Sequence, residues 1–240
     1  ILTAHQPVYL PWLGLFHKIY LAEKYCIFDG VQYQTRDFNN RNKIKTRDGV
    51  IWLTVPVESK NHFSKKISEI KIIKSDWNRK HFKSIFLAYK KAKFFDKYIT
   101  DLEYFYMKKE YNYLVDICSD MLIYFLEKLN ISRNIDFASK HIFEGEKSEL
   151  VLNMCQQLGA DSYIFGAQGK NYAEIEKFKS KNISIYFQNY LHPIYSQLFG
   201  EFQPNLSIID LLFNHGDESL DILLSGNIKT IFKEGENHWI

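Results

Sequence analysis

The candidate chemistry near the amino end comes from a histidine and an aspartate, each of which follows a short apolar run. His5 comes after residues 1–4, and Asp29 comes after residues 25–28. An imidazole can act as a general base or hold a phosphate, and a neighbouring carboxylate raises its pKa and fixes its tautomer. His5 can equally cap its own loop, and Asp29 can close a turn with Gly30, so these residue types leave both interpretations open.

A polar segment over residues 31–46 lies between Asp29 and a predicted β-hairpin. Arginine and lysine side chains suit phosphate or carboxylate groups, whereas amides and a tyrosine suit sugar hydroxyls or the edge of a base. A polar surface loop is the alternative, but the density of these side chains favours a binding surface. The residues concerned are Gln32, Tyr33, Arg36, Asn40, Arg41, Asn42 and Lys45.

Two glycines, Gly166 and Gly169, fall between a predicted strand and a predicted helix, with Lys170 and Tyr172 close behind them. Backbone N–H groups in such a loop can approach a phosphate, to which a lysine adds positive charge. The spacing matches neither G-x-x-x-x-G-K-[ST] nor G-x-G-x-x-G, so an ordinary strand-to-helix turn explains the sequence equally well.

Several other chemistries are not supported. The eight histidines are dispersed and no H-E-x-x-H motif occurs, so no metal site is expected. The absence of G-x-S-x-G argues against the nucleophile elbow of an α/β-hydrolase. Cys26, Cys118 and Cys155 are too far apart in sequence for a C-x-x-C site, and they are predicted to be buried structural thiols in a reducing compartment.

The composition indicates a globular chain with neither a nucleic-acid nor a membrane partner. Its 240 residues are 46% hydrophobic, which is ample for a sizeable core. The net charge of +3 results from 31 basic and 28 acidic residues and is too balanced to indicate nucleic-acid binding. No window approaches about eighteen uninterrupted apolar residues and no signal peptide is recognised, which predicts a cytoplasmic location without membrane insertion.

The elements that must position these residues begin with a strand, a helix and a second strand, a pattern that predicts two parallel strands. A hairpin follows, because Asp48 and Gly49 supply turn chemistry between two β-prone runs. Helical spacing of apolar residues dominates the segment after Trp77. The predicted elements are strands at 1–5, 25–28 and 67–73, a helix at 11–23, a hairpin at 42–57 and helices within 77–129.

Strands and helices alternate again in the last hundred residues, which predicts strands at 135–139, 161–166 and 183–190 and helices at 147–158, 171–181 and 207–216. Together these patterns predict one α/β domain over residues 1–240. It has a Rossmann-like, mostly parallel sheet, an added β-hairpin and a helical insertion at 75–130. Ligands of such sheets bind beyond the carboxyl ends of the strands. The expected ligand site therefore involves the loops 5–11, 29–33, 166–172 and 188–192.

Five segments of the chain resemble the WbqC-like proteins: "HQPVYLPWLGLFHKI", "DGVQYQTRDFNNRNKIKT", "GVIWLTVPV", "FGAQGKNY" and "FQPNLSIIDLLFNHG". They run from His5 to Gly216 in the motif order of that family. Many relatives have an aliphatic residue at the position of Cys26, which speaks against that thiol as a shared nucleophile. The resemblance implies binding or catalytic roles for His5, Gln6, Tyr9, Trp12, Asp29, Gln32, Tyr33, Asn40, Arg41, Lys45, Gly166 and Tyr172.

WbqC-like proteins are typically encoded among bacterial surface-polysaccharide genes, especially those for O-antigen. The resemblance therefore implies a cytoplasmic transferase that acylates or aminoacylates, for example glycylates, the amine of a nucleotide-linked amino sugar. In this hypothesis Asp29 orients His5, which takes the amine proton, and Arg41 and Lys45 hold the phosphates. The implied partners are the nucleotide-linked amino sugar and an acyl or aminoacyl donor, with carrier proteins among the candidates. No cofactor is assigned.

Two alternatives remain open at this stage. A nucleotidyl-transfer enzyme also places a histidine loop between a strand and a helix, but the usual pair of histidines two residues apart is missing, since the next histidine after His5 is His17. A non-catalytic protein that binds sugar nucleotides or acts as a scaffold is the other alternative. Its partner surface would be the aromatic, lysine-rich helices within 77–129.

Overall fold

The chain forms a five-stranded sheet in which every strand is parallel to its neighbours, as seen in a computed structural model that describes residues 1–58 and 65–231. The strand order is β5-β2-β1-β6-β7. The predicted α/β class and mostly parallel sheet are therefore confirmed. The strands are β1 (Leu2–His5), β2 (Lys24–Ile27), β5 (Asn134–Phe137), β6 (Ser162–Phe165) and β7 (Ser184–Phe187).

The predicted hairpin is a separate antiparallel pair, β3 (Arg41–Thr46) and β4 (Gly49–Thr54). Gly49 has a φ of +117°, a conformation that a glycine adopts at little cost, so it closes the turn after Asp48. Isolated bridges join Gln32 to Lys66 and Val57 to Ile72 and link the segments around this hairpin.

Eight α-helices are found in the described residues. Three of them fill the predicted insertion, together with a π-helical turn at Tyr104–Lys108. The helices are α1 (Leu13–Leu21), α2 (Trp77–Tyr89), α3 (Phe95–Glu103), α4 (Leu114–Lys128), α5 (Lys147–Gln157), α6 (Ile175–Lys179), α7 (Ile208–His215) and α8 (Ser219–Leu224).

One predicted element was wrong, and another is shorter than predicted. Residues 67–73, predicted to be a strand, form a 3-10 turn at Ile67–Glu69 and then only isolated bridges, because Glu69 Oε2 accepts from the backbone N–H of Lys66 at 2.8 Å and so favours a turn here. The helix predicted at 171–181 is present as the shorter helix α6, and a 3-10 turn at Ala167–Asn171 comes before it. The period-2 and period-3.6 patterns of such short segments are too brief to be decisive.

The sheet separates two apolar cores, as alternate residues of β2 show. Tyr25 and Ile27 face the larger core, which the hairpin and the helices α1, α2, α4 and α7 complete, whereas Cys26 faces the smaller core beside α5. The chain builds outward from β1 to β2 and β5 and then returns to the opposite side of β1 with β6 and β7. The direction of strand order thus reverses between β1 and β6, where ligands of open α/β sheets bind.

Candidate functional site

His5 ends β1 at this reversal point. Its Nδ1–H donates to the carbonyl oxygen of Gln6 at 2.9 Å, because a carbonyl can only accept. Burial, followed by the positive charge of Lys18, lowers the pKa of His5 to about 3. The imidazole is therefore neutral near pH 7, and its Nε2 carries a lone pair that can accept a proton or a hydrogen bond.

The residue that shapes the charge around His5 is Lys18 of α1, which the sequence analysis did not single out. Its side chain is 4% exposed, and its Nζ donates to the carbonyl oxygen of Ala4 at 2.9 Å. Burial lowers the pKa of Lys18 to about 8. One signal for it was present in the sequence, since Lys18 lies three residues after Leu15 and thus on the apolar stripe of a predicted helix.

The loop after His5 is held by buried asparagines of the segment 31–46. Asn39 Nδ2 donates to the carbonyl oxygen of Pro7 at 2.8 Å and to Gln6 Oε1 at 3.2 Å. Asn42 Nδ2 donates to the carbonyl oxygen of Leu10 at 2.6 Å. The predicted site residue Gln6 is thus next to His5, and the two polar segments that the sequence analysis singled out meet here.

An aromatic row leads away from His5. The ring of Trp12 meets His5 edge-on with the ring centroids 5.4 Å apart, and Phe38 follows at 5.3 Å and Trp52 at a further 5.8 Å. The guanidinium of Arg41 lies 4.5 Å from the centroid of Trp52, whose side chain is 45% exposed. Partly exposed rings with an adjoining guanidinium can stack on a planar base or on the apolar face of a sugar.

Gly166 ends β6 on the other side of the reversal point. A Cβ atom built on Gly166 would lie 4.0 Å from Lys18 Nζ, so the two residues are neighbours. A Cβ on Gly169 would overlap Phe165, which explains why a glycine is required there. Tyr172 is exposed and its ring meets Phe165 edge-on at 5.8 Å, which places it at the outer end of this loop.

Asp29 lies at the end of β2, but the structure shows no hydrogen bond between it and His5. Its Oδ1 accepts from the backbone N–H of Ser139 at 2.8 Å, and the side chain is buried. The orientation that the sequence analysis assigned to Asp29 is provided by the carbonyl of Gln6 instead. Asp29 lines a cleft of about 560 Å³, which shares Ser68 and Ser139 with a neighbouring cleft of about 350 Å³ beside Gly30.

Lys45 and Tyr9 are buried among protein partners. Lys45 Nζ donates to Gln197 Oε1 at 3.1 Å and to the carbonyl oxygen of Glu201 at 2.6 Å. Tyr9 is fully buried, and its hydroxyl hydrogen-bonds to His81 Nδ1 at 2.8 Å and also to the hydroxyl of Tyr106. Neither side chain is placed by the structure beside His5.

The remaining predicted residues lie in the segment that joins Asp29 to the hairpin. Gln32 is exposed, whereas Asn40 is buried and its Nδ2 donates to the carbonyl oxygen of Val55 at 2.8 Å. Tyr33 is buried as well, and its backbone N–H donates to the carbonyl oxygen of Lys65 at 3.1 Å. These contacts fix the backbone that carries Phe38 and Asn39.

A second polar cluster, which the sequence analysis missed, surrounds Asp210 of α7. Tyr89 donates to Asp210 Oδ1 at 3.0 Å, and Lys45 is close enough to lower the pKa of this carboxyl. Burial outweighs these effects and raises the pKa of Asp210 to about 6. The signal in the sequence was an acidic residue within the apolar run 208–213.

The three cysteines are buried and unpaired, as predicted. Burial raises the pKa of Cys26 and of Cys155 to about 12, so neither is a thiolate near pH 7. Among residues 1–58 and 65–231, no group of three His, Cys, Asp or Glu side chains is arranged to hold a metal ion. Within the same part of the chain, no helix has the length and apolar character needed to cross a membrane.

Comparison with known proteins gives two matches that cover almost the whole chain. The model of the WbqC-like protein family matches residues 6–222. The uncharacterized protein Rv1507c of Mycobacterium tuberculosis is 34% identical over 219 residues, which cover 91% of this chain and 95% of that relative. No solved structure matches the chain. The family match includes His5's neighbour Gln6, the hairpin and α7, and we conclude that the chain belongs to the WbqC-like protein family.

Proposed function

We propose that the protein is a cytoplasmic transferase of bacterial surface-polysaccharide biosynthesis. Its reaction would acylate or aminoacylate the amine of a nucleotide-linked amino sugar. The observation that carries this proposal is His5, whose imidazole ends β1 at the reversal point with Nδ1–H held by the Gln6 carbonyl. Deprotonation of an attacking amine requires a base held in one tautomer, and the carboxyl end of β1 is where open α/β sheets bind their ligands.

In the proposed reaction the sugar amine attacks the carbonyl carbon of the donor. A C–N bond forms, the bond from the carbonyl carbon to the leaving group breaks, and His5 Nε2 takes the amine proton and passes it to the leaving group. We assign the developing oxyanion to the amino end of α1, where the helix dipole favours negative charge. A phosphate near Lys18 offsets its charge, which raises the pKa of His5 and makes it a stronger base.

The aromatic row supports a nucleotide as the carrier of the sugar. Trp12 and Phe38 lead from His5 to the exposed Trp52, so a base stacked on this row lies on the same side of the molecule as the imidazole. Arg41, packed against Trp52, adds a positive charge at the far end. Stacking of a base on an aromatic side chain contributes about 1–3 kcal/mol to binding.

The decisive experiment combines nucleotide-linked amino sugars with acyl thioesters and aminoacyl donors and detects the N-acylated product by mass spectrometry. Replacing His5 with alanine is expected to lower kcat by about 100-fold or more, the usual contribution of a general base. His141→Gln is the control, because His141 pairs with Asp136 at the surface, and it is expected to keep the parent rate within about twofold. Unchanged turnover in His5→Ala would refute the mechanism.

Nucleotidyl transfer remains the second candidate, and it has one supporting observation. The strand, histidine loop and helix that such enzymes use are present as β1, the loop at 5–11 and α1. Against it, His17 cannot complete a histidine pair, since its Nε2–H donates to the carbonyl oxygen of Ile228 and its Nδ1 accepts from Gln188. Release of pyrophosphate from a nucleoside triphosphate with Mg²⁺ and a sugar phosphate would favour this candidate over acyl transfer.

A further inference from the structure

The ammonium of Lys18 is a buried charge, and its one hydrogen-bond partner among residues 1–58 and 65–231 is a backbone carbonyl. An ammonium has three donors, and the carbonyl oxygen of Ala4 at 2.9 Å satisfies one of them. No Asp or Glu oxygen lies within 4.0 Å of Lys18 Nζ in the described residues. Burying a charge without a counter-ion is unfavourable, so an unpaired ammonium in a native fold suggests an anion that it binds.

Lys18 lies at the edge of the sheet where a ligand is expected to bind. Its carbonyl partner, Ala4, belongs to the carboxyl end of β1, and Gly166 at the carboxyl end of β6 is the neighbour on the other side. A Cβ atom built on Gly166 would meet Lys18 Nζ and no other atom within 4 Å, so in the described residues no other side chain fills this position beside the ammonium. Lys18 therefore lies at the point where the strand order reverses, which is where open α/β sheets bind their ligands.

A second observation indicates which anion fits. The neutral imidazole of His5 lies beside Lys18, and the aromatic row of Trp12, Phe38 and Trp52 starts at that imidazole. An ammonium and an imidazole nitrogen next to a stacking surface suit a phosphate group that is joined to a planar base. A free carboxylate or inorganic ion would make no use of the aromatic row.

We propose that Lys18 binds the phosphates of a nucleoside diphosphate beyond the carboxyl ends of the paired strands β1 and β6. This assignment names the cation that holds the nucleotide in the proposed function, and it stands whether or not a group is transferred. It also replaces Lys45 as the phosphate-binding lysine, since Lys45 is engaged by Gln197 and Glu201.

The test is isothermal titration calorimetry of the whole chain with uridine diphosphate, inorganic pyrophosphate and uridine. In Lys18→Met, which keeps the length of the side chain but removes its charge, the affinity for both phosphate ligands is expected to fall at least about 30-fold. Lys24→Met is the matched control, because Lys24 Nζ also donates to a backbone carbonyl, that of Leu158, but sits at the amino end of β2. It is expected to bind all three ligands like the parent.

The proposal is overturned if Lys18→Met keeps the parent affinity for uridine diphosphate, or if the parent binds neither phosphate ligand. Reductive methylation of the parent protein provides a test that needs no variant. Uridine diphosphate is expected to slow labelling of Lys18 and not of Lys24, and equal protection of both would again overturn the proposal. Phosphate binding that depends on Lys18 in a protein without transferase activity would refute the proposed function alone.

Discussion

Lys18 and Lys45 are both buried lysines, yet their surroundings differ in kind. Lys18 is 4% and Lys45 is 5% exposed. Lys45 Nζ donates to a side-chain amide oxygen and a carbonyl oxygen and lies near Asp210. Lys18 Nζ donates to one carbonyl oxygen and has no carboxylate partner in the part of the chain that the structure describes. We therefore infer a structural role for Lys45 and a ligand-binding role for Lys18 from their partners, not from whether they lie in a polar segment of the sequence.

The largest expected effect is at Lys45, because its removal leaves Asp210 and Gln197 without their cation. Lys45→Met is expected to lower the free energy of unfolding by about 4 kcal/mol, as breaking a buried polar network usually does. Urea denaturation at neutral pH measures it, with Lys24→Met as the control. A loss below about 1 kcal/mol would mean that Lys45 is no more structural than Lys18.

The cluster around Lys45 and Asp210 can also be tested through the pH dependence of the free energy of unfolding. Its pKa in the folded protein, about 6, is above the value of 3.8 expected for the unfolded chain, so the protonated form is favoured by folding. The stabilisation is complete below about pH 4 and is lost as the pH rises through 6. Relative to the parent, Asp210→Asn should gain about 3 kcal/mol of unfolding free energy between about pH 4 and about pH 7.

Urea titrations of parent and variant at several pH values check this prediction. The difference between the two proteins cancels the contribution of every other titrating group that the substitution leaves alone. A difference that stays constant with pH would show that Lys45 and Tyr89 hold Asp210 ionised throughout.

The effect of Lys18 on the stability of the folded protein should change with pH in the direction opposite to that of Asp210. Its pKa falls from 10.5 to about 8 on folding, so the charged form is disfavoured fully below pH 8 and the penalty is relieved as the pH rises toward 10.5. After allowance for the lost bond to Ala4, Lys18→Met should raise the free energy of unfolding by about 2 kcal/mol near pH 7. The gain should shrink above pH 8.

Urea denaturation of Lys18→Met and Lys45→Met side by side tests this contrast directly. We expect Lys18→Met to stabilise the protein and Lys45→Met to destabilise it. If both variants are destabilised to a similar extent, Lys18 is a structural residue that holds the end of β1.

Tyr9 extends the comparison to a residue that the family resemblance assigned to the site. Its hydroxyl hydrogen-bonds to His81 and to Tyr106 in the core. Tyr9→Phe is therefore expected to cost about 1 kcal/mol of stability and to leave the affinity for uridine diphosphate unchanged. Denaturation and calorimetry measure the two quantities. Lost affinity at unchanged stability would place Tyr9 in the binding site instead.

The sequence predicted the sheet better than the site. Parallel strands and the hairpin were predictable because apolar runs and Asp-Gly turns are local signals. The surroundings of Lys18 and Asp29 were not predictable, because their neighbours Gly166 and Ser139 lie more than a hundred positions away in the chain. His5 and Gln6 were proposed as site residues because ligands of parallel sheets bind beyond the carboxyl ends of the strands. The burial of Lys45 was not predictable, because it depends on a loop near Gln197 that no local sequence pattern specifies.

The smallest expected effect is that of replacing Asp29. This substitution tests which group orients the imidazole of His5. Asp29 Oδ1 accepts from the N–H of Ser139, and the imidazole is oriented by the Gln6 carbonyl. Asn at position 29 keeps an oxygen acceptor for Ser139, so Asp29→Asn should change stability by less than about 1 kcal/mol. Turnover should fall less than about threefold, far less than the effect of removing the general base His5.

Steady-state kinetics of Asp29→Asn across pH separates the two possible orienting groups. If the Gln6 carbonyl orients His5, the pH profile of kcat/KM keeps its shape, because no charge that acts on the imidazole has been removed. A carboxylate partner would raise the pKa of His5, and its loss would shift the acidic limb of the profile toward lower pH. Such a shift, together with a large fall in kcat, would restore the His5–Asp29 pair that the residue types suggest.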